Sequence, residues 1–161
     1  VFALAEKKVL NDAVSLRIIG EGGVYERTNG NTRLTERFFA RGKLRGFENN
    51  GIGPRDLGAD TDALGGNYFA SVRMETDFPL GLPEEYGITG GAFYDMGSVW
   101  GLNDTAGVMP VDDEFHLRSA AGVSLFWSTP IGPLRFNWSR AFEKQSYDRV
   151  QNFDLTLSTK F

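Results

Sequence analysis

At 161 residues, with 20 glycines, 13% aromatic side chains and a mean hydropathy of -0.28, the chain has the size of one soluble domain or of a small membrane barrel. Its net charge of -4 argues against nucleic acid as a partner, because phosphate recognition needs a basic surface. Cysteine is absent, which excludes a disulfide framework and a thiolate metal site, and no apolar window of about 18 residues offers a spanning helix.

Phe2, Leu4 and Val9 predict a short strand closed by an Asn11-Asp12 turn. Residues 1–10 have neither a basic start nor an adequate apolar stretch, so no signal peptide is expected, and the chain is read as one whose mature start has been cut away or as a fragment. Residues 14–25 alternate: Leu16, Ile18, Gly20, Gly22 and Val24 share one face, Ser15, Arg17, Glu21 and Tyr25 the other. Residues 26–63 are polar and turn-rich, and a connection of that length in a compact protein is usually functional or disordered.

The period of two resumes over residues 66–80. Tyr68, Ala70, Val72, Met74 and Phe78 point one way and Arg73, Glu75 and Asp77 the other, until Pro79 and the Gly81-Leu82-Pro83 turn end the strand. Residues 86–100 set Ile88, Ala92, Tyr94 and Met96 against Thr89, Phe93 and Asp95, and residues 102–114 read as a loop. Residues 117–127 place Val123, Leu125 and Trp127 opposite Arg118, Gly122 and Ser124. A tight Pro130-Ile131-Gly132-Pro133 turn leads into Leu134, Phe136 and Trp138, opposite Arg135, Asn137 and Ser139. After a loop around Tyr147-Asp148-Arg149, a last strand sets Phe153, Leu155, Leu157, Thr159 and Phe161 against Asp154, Thr156, Ser158 and Lys160.

About seven strands with alternating short and long connections fit an outer-membrane barrel, and the period of two alone fits a soluble β-sandwich equally well. The aromatics Phe78, Trp100, Trp127 and Trp138, placed near strand ends where interfacial girdles form, favour the barrel. Complete bacterial barrels have even strand numbers, so an odd count points to part of a larger one.

Arg45 carries the most pointed chemistry. It lies in Leu44-Arg45-Gly46-Phe47, beside a Gly that frees the backbone and a Phe that can anchor a loop, with Gly51-Ile52-Gly53-Pro54 following. Glu75 and Asp95 share the polar face of the next two strands, so a guanidinium fork could bridge them. Spacing alone leaves that reading open beside one of three separate solvated charges. No catalytic set is expected: His116 is the sole histidine, expected to be solvated beside Glu114, and no nucleophile elbow is present. Asp112-Asp113-Glu114 reads as a hydrated acidic loop, so no metal is expected, and the glycine-rich runs lack a phosphate-loop Lys.

Several segments form an ordered series: Phe38-Phe39-Ala40-Arg41-Gly42 leading into Leu44-Arg45-Gly46-Phe47; Gly51 to Asp56 with Leu64-Gly65-Gly66-Asn67; Glu75 with Phe78-Pro79-Leu80; Phe93-Tyr94-Asp95-Met96-Gly97; and Trp127 to Pro133. Together they resemble the assembly-type outer-membrane barrels, the bacterial surface antigen family. The resemblance implies an all-β fold, an antiparallel transmembrane β-barrel of which residues 1–161 are the C-terminal portion, about seven strands of a 16-stranded barrel. It implies that residues 26–63 are a long extracellular loop folding into the lumen. Arg45, Gly46 and Phe47 would be its docking motif, with Glu75 and Asp95 as acidic partners on the lumen wall. Phe153, Leu155, Leu157, Ser158 and Phe161 would form the terminal strand at a lateral seam, with Ser158 standing where related strands often carry Gly.

Within the family, Phe78 to Glu85 and Gly53 to Asp56 resemble the proteobacterial assembly factor. The implied function is non-enzymatic and cofactor-free: folding and insertion of outer-membrane proteins in the bacterial outer membrane. The implied partners are the outer-membrane lipid bilayer, unfolded outer-membrane protein clients and accessory assembly lipoproteins, with no nucleic acid. A translocation-and-assembly relative and a two-partner secretion pore share the loop and hairpin patterns and stand as alternatives.

Overall fold

A computed structural model describes residues 2–9, 13–28, 30–58, 61–105, 107 and 109–157, the first of these segments by its backbone alone. Seven strands follow one another: β1 (Phe2–Val9), β2 (Val14–Val24), β3 (Tyr68–Pro79), β4 (Ile88–Trp100), β5 (Arg118–Thr129), β6 (Gly132–Glu143) and β7 (Phe153–Leu157). They form a single sheet in chain order, and every neighbouring pair is antiparallel. The Asn11-Asp12 turn and the terminal residues Ser158, Thr159, Lys160 and Phe161 lie outside the described residues.

The register places all the short connections at one end. Ser15 pairs with Asp77, Pro79 with Thr89, Ile88 with Trp127 and Thr129 with Gly132, so the start of β2 and the turns before β4 and β6 lie along a common edge. The long connections 25–67, 101–117 and 144–152 gather at the other end. Among the described residues no helix is long and apolar enough to cross a membrane, and the only helical turns are Leu34–Glu36 and Glu84–Tyr86.

Burial runs opposite to a soluble sheet. The apolar strand face stays open: Ile18, Val72, Val123, Trp127, Trp138, Leu155 and Leu157 are exposed. The polar face is the covered one. There Phe69, Val99 and Ala120 pack against Ala40, Leu44, Phe47 and Ile52 of the long connection, forming the core of the molecule. Hydrophobic residues hidden in a turn-rich segment therefore fold it onto the sheet. Its backbone is tied in as well, by a Phe38–Gly66 bridge and by Arg37, which donates to the carbonyls of Thr32, Leu64 and Asp104.

The aromatic girdle is only partly as expected. Tyr68 stacks on Trp100 at 5.7 Å, and Phe115 meets Trp100 edge-on at 4.9 Å at the long-loop end, while Trp127 lies at the turn end. Trp138 does not belong to either end. β6 continues through Arg140, Ala141 and Phe142 to Glu143, which leaves Trp138 in mid-strand, stacked on Phe136 and tilted against Phe153.

Candidate loop-docking site

The structure brings Arg45, Glu75 and Asp95 together. Asp95 is on β4 and Glu75 on β3, both turned to the covered face by the period of two. Arg45 donates from its backbone N–H to Asp95 Oδ2 at 3.0 Å and from Nε to the same oxygen at 2.7 Å, while Nη2 reaches Oδ1. Its Nη1 lies 2.7 Å from Glu75 Oε1 as an ion pair. The guanidinium also lies 3.8 Å over the Phe93 ring, so it is held on three sides. All three charged side chains are buried to within a tenth of full exposure, at 9%, 5% and 0%.

Glu75 serves more than Arg45. Arg17 approaches its Oε2 at 2.9 Å and Arg135 its Oε1 at 3.3 Å, so three guanidinium groups surround one carboxylate. Asp95 and Asp77 balance the two remaining charges, Asp77 bonding Arg17 at 3.2 Å. Arg135 is steadied by the Phe126 ring at 4.8 Å and by Asn137 Oδ1 at 2.9 Å. A buried cluster of this kind is retained when every charge has a partner, and Arg17 and Arg135 complete it. Periodicity places both on this face. The missing information was register: Arg17 stands directly opposite Glu75 across β2 and β3.

The two residues after Arg45 also have clear duties. Gly46 takes φ +90°, and a Cβ there would lie 2.6 Å from the Ala120 Cβ, so only glycine allows the loop this close to β5. Phe47 is buried in the core and forms an antiparallel bridge with Val150. Phe153, Leu155 and Leu157 of β7 turn their side chains to the open face, away from the Arg45 cluster, and β7 pairs with Leu134–Trp138 of β6.

The loop around His116 is partly exposed, and its polar groups also bond one another. His116 Nε2 lies 2.9 Å from Asp112, Tyr147 Oη donates to the same carboxylate at 3.1 Å, and Asp113 accepts from the Leu102 N–H at 2.9 Å. Proximity to β5 and to the 144–152 connection brings these half-exposed side chains within bonding distance of one another. Burial opposes ionisation of Asp112, but the Glu114 N–H, His116 and Tyr147 outweigh it and hold its pKa below the ordinary value. Burial, reinforced by the Asp112 carboxylate and opposed by Arg118, pushes the Tyr147 phenol up to about 12. Asp112, Glu114 and His116 bring one ligand atom each within 4.8 Å of one another, although two of the three already bond each other.

One buried pair was missed altogether. Arg118, on β5, forks onto Asp148 with Nε to Oδ2 at 2.9 Å and Nη2 to Oδ1 at 3.0 Å. The residues are 30 apart, and no spacing rule connects a strand start to a loop at that distance.

Comparison with known proteins gives a consistent result. Residues 4–161 match the Omp85 superfamily domain. The chain is 34% identical over 149 residues to the outer membrane protein assembly factor BamA of Neorickettsia risticii, covering 92% of this chain and 20% of that protein. Against BamA of Neisseria meningitidis it is 28% identical over 166 aligned positions, 89% of this chain and 21% of that protein. The solved structure of BamA from Haemophilus ducreyi lacking POTRA domains 1–3 superposes with a TM-score of 0.78 at 21% identity, over 94% of this chain and 32% of that one. The chain thus spans about a fifth of the length of the curated relatives it matches. The shared fold is that of part of a transmembrane β-barrel, which accounts for an apolar face left open and a polar face covered.

Proposed function

This chain belongs to the Omp85 superfamily, and from that premise we propose that it is the C-terminal part of the barrel of an outer-membrane protein assembly factor. The barrel would stand in the outer membrane with its exposed apolar face toward lipid, and it would fold and insert barrel clients without an energy cofactor. Its partners would be the bilayer, unfolded outer-membrane proteins and accessory assembly lipoproteins. No side-chain chemistry is required for this work. The barrel supplies a shaped, partly opened wall, and client strands supply their own hydrogen-bonding edges.

In this reading residues 26–63 are an extracellular loop folded into the lumen. Arg45, Gly46 and Phe47 dock it, Glu75 and Asp95 receive it, and β7 with the residues after it forms one side of the lateral seam. The observation that carries assembly over a plain pore is the core itself. Ala40, Leu44, Phe47 and Ile52 fill the space above the sheet, where a pore needs an open channel. The likeness to proteins named BamA, at up to 34% identity, favours the assembly factor over its TamA-like and secretion relatives.

Depletion of the full-length parent protein, followed by measurement of folded, heat-modifiable porins, tests the proposal. Broad loss of folded porins with accumulation of unfolded ones is expected. Normal porin levels with loss of a single transported protein would replace assembly by translocation or secretion.

A further inference from the structure

Between β6 and β7 the chain does not return directly to its neighbour. Arg149 and Gln151 pair with the Arg45 loop instead: Glu48 N–H donates to the Arg149 carbonyl at 3.0 Å, Arg149 N–H to the Gly51 carbonyl at 2.9 Å and Gln151 N–H to the Gly46 carbonyl at 3.0 Å. At Asn152, whose carbonyl accepts from Ser139 N–H at 2.9 Å, the segment's backbone rejoins β6, and β7 starts at the next residue. The loop and the run-in to the last strand thus form a small antiparallel ladder of their own, centred on the Phe47–Val150 bridge. Gly51 makes this approach possible, since a Cβ on it would lie 2.4 Å from the Arg149 carbonyl oxygen.

One residue before this ladder sits Asp148. Its side chain is fully buried, and both oxygens are taken by the Arg118 fork, with Gln145 N–H adding a bond to Oδ2 at 2.7 Å. Arg118 is itself locked, donating from Nη1 to the His116 carbonyl at 2.9 Å. Consecutive Cα atoms are about 3.8 Å apart, so no slack lies between an anchor at Asp148 and a ladder beginning at Arg149. On the sheet, Asp95 pairs with Ala120 and Gly97 with Arg118, so the anchors of the two loops stand on adjacent strands.

We infer that Arg118 and Asp148 form a second latch, which positions the segment 149–151 against the Arg45 loop, so that the docked loop and the start of the last strand move as one unit. Asp148 and Arg118 are positioning residues in this arrangement and touch no client. Docking of Arg45 on Asp95 fixes Gly46, Gly46 receives Gln151, and Gln151 precedes the strand by two residues. A loop that left its site would pull the upper end of β7 with it, and a displaced β7 would loosen the loop. As a means of regulating the seam this rests on the proposed assembly function, whereas the mechanical coupling itself does not.

Amide hydrogen exchange on the full-length parent protein, reconstituted in phospholipid vesicles, reads the coupling directly. In Asp148→Asn, exchange at Glu48, Arg149 and Gln151 should rise by about tenfold or more, the effect of losing a charge-assisted fork, while the amides of β3 and β4 stay protected. Reciprocally, Arg45→Ala should raise exchange at Arg149 and Gln151. A rise confined to residues 145–149, with Glu48 unchanged, would show that Asp148 merely holds its own loop and would overturn the latch. Should Asp148→Asn lose protection throughout the sheet, Arg118→Lys, which keeps the charge but not the fork, is judged by the same amides. Insertion of a barrel client is followed in the same vesicles. A wild-type protein that inserts none would remove the assembly reading while leaving the exchange result to decide the latch.

Discussion

The two faces of the sheet obey opposite rules. On β5 alone, Val123 is 55% exposed and Trp127 44%, while Ala120 and Arg118, on the other face, are at 0% and 1%. A soluble sheet would bury the valine and tryptophan and leave the arginine in water. Here the covered face holds its most deeply buried charges because Arg45, Glu75, Asp95 and Arg118 each find a counter-charge, and it holds its few apolar residues because a loop folds over them. Among the described residues nothing covers the open face. In the proposed barrel two kinds of cohesion would serve one sheet, ion pairing with packing on one side and solvation by lipid on the other.

The sharpest way to break that contrast is Arg45→Ala. Removing the guanidinium strands a buried Asp95 and leaves Glu75 with fewer partners, which should cost about 3–5 kcal/mol. Heat-modifiable migration of the barrel on gels should shift to clearly lower temperature. An unchanged transition would mean that packing by Phe47 and Leu44 holds the loop without the charges.

Val123→Arg addresses the other face. A cation placed at mid-strand toward lipid should cost about 2–4 kcal/mol in a bilayer. Folding efficiency into vesicles, compared between wild type and variant, checks it. If the variant folds into bilayers as well as the wild type, the open face is not the lipid face.

Gly46→Ala should be milder, about 1–3 kcal/mol, because the loop must carry a side chain at positive φ and push against Ala120. The loss should appear as faster protease cleavage within residues 40–56 before any loss of the sheet. Equal cleavage rates would mean that the loop can stand off from β5 at no cost.

The smallest effects concern pH and stay at the long-loop end. Asp112 has a folded pKa below its ordinary 3.8, so its bonds to His116 and Tyr147 contribute above that value and are lost as pH falls through the lowered one. Tyr147 is the reverse case: raised from 10.0 to about 12, its contribution is complete below pH 10 and lost as pH rises through about 12. Tyrosinate absorbance, compared with Tyr147→Phe, should show one late-titrating group. Its absence would place Tyr147 in open solvent.

Much of this was legible in the chain. Strand positions followed from side-chain alternation, and the turn edges from Pro79, Gly81 and the Pro130 to Pro133 run. The sharing of one face by Glu75 and Asp95 was equally plain, since a period of two is local and survives whatever the sheet packs against. Where β6 ended was less plain: Ala141 and Phe142 continue the alternation past Ser139, and an estimate stopping there put Trp138 at an end it does not occupy. Arg17 and Arg135 could be assigned a face but not a partner. Register is a relation between strands, and for β2 and β3 it crosses a connection from residue 25 to residue 67.

The sequence by itself thus determined the strands and their two faces, and it marked the loop through its Arg-Gly-Phe motif, because these depend on neighbours along the chain. The tertiary structure alone decided that Glu75 gathers three arginines, that Arg118 meets Asp148 and that Arg149 and Gln151 pair with the Arg45 loop. Each of those contacts joins residues far apart along the chain, and their energies depend on burial that no single segment possesses until the others are in place.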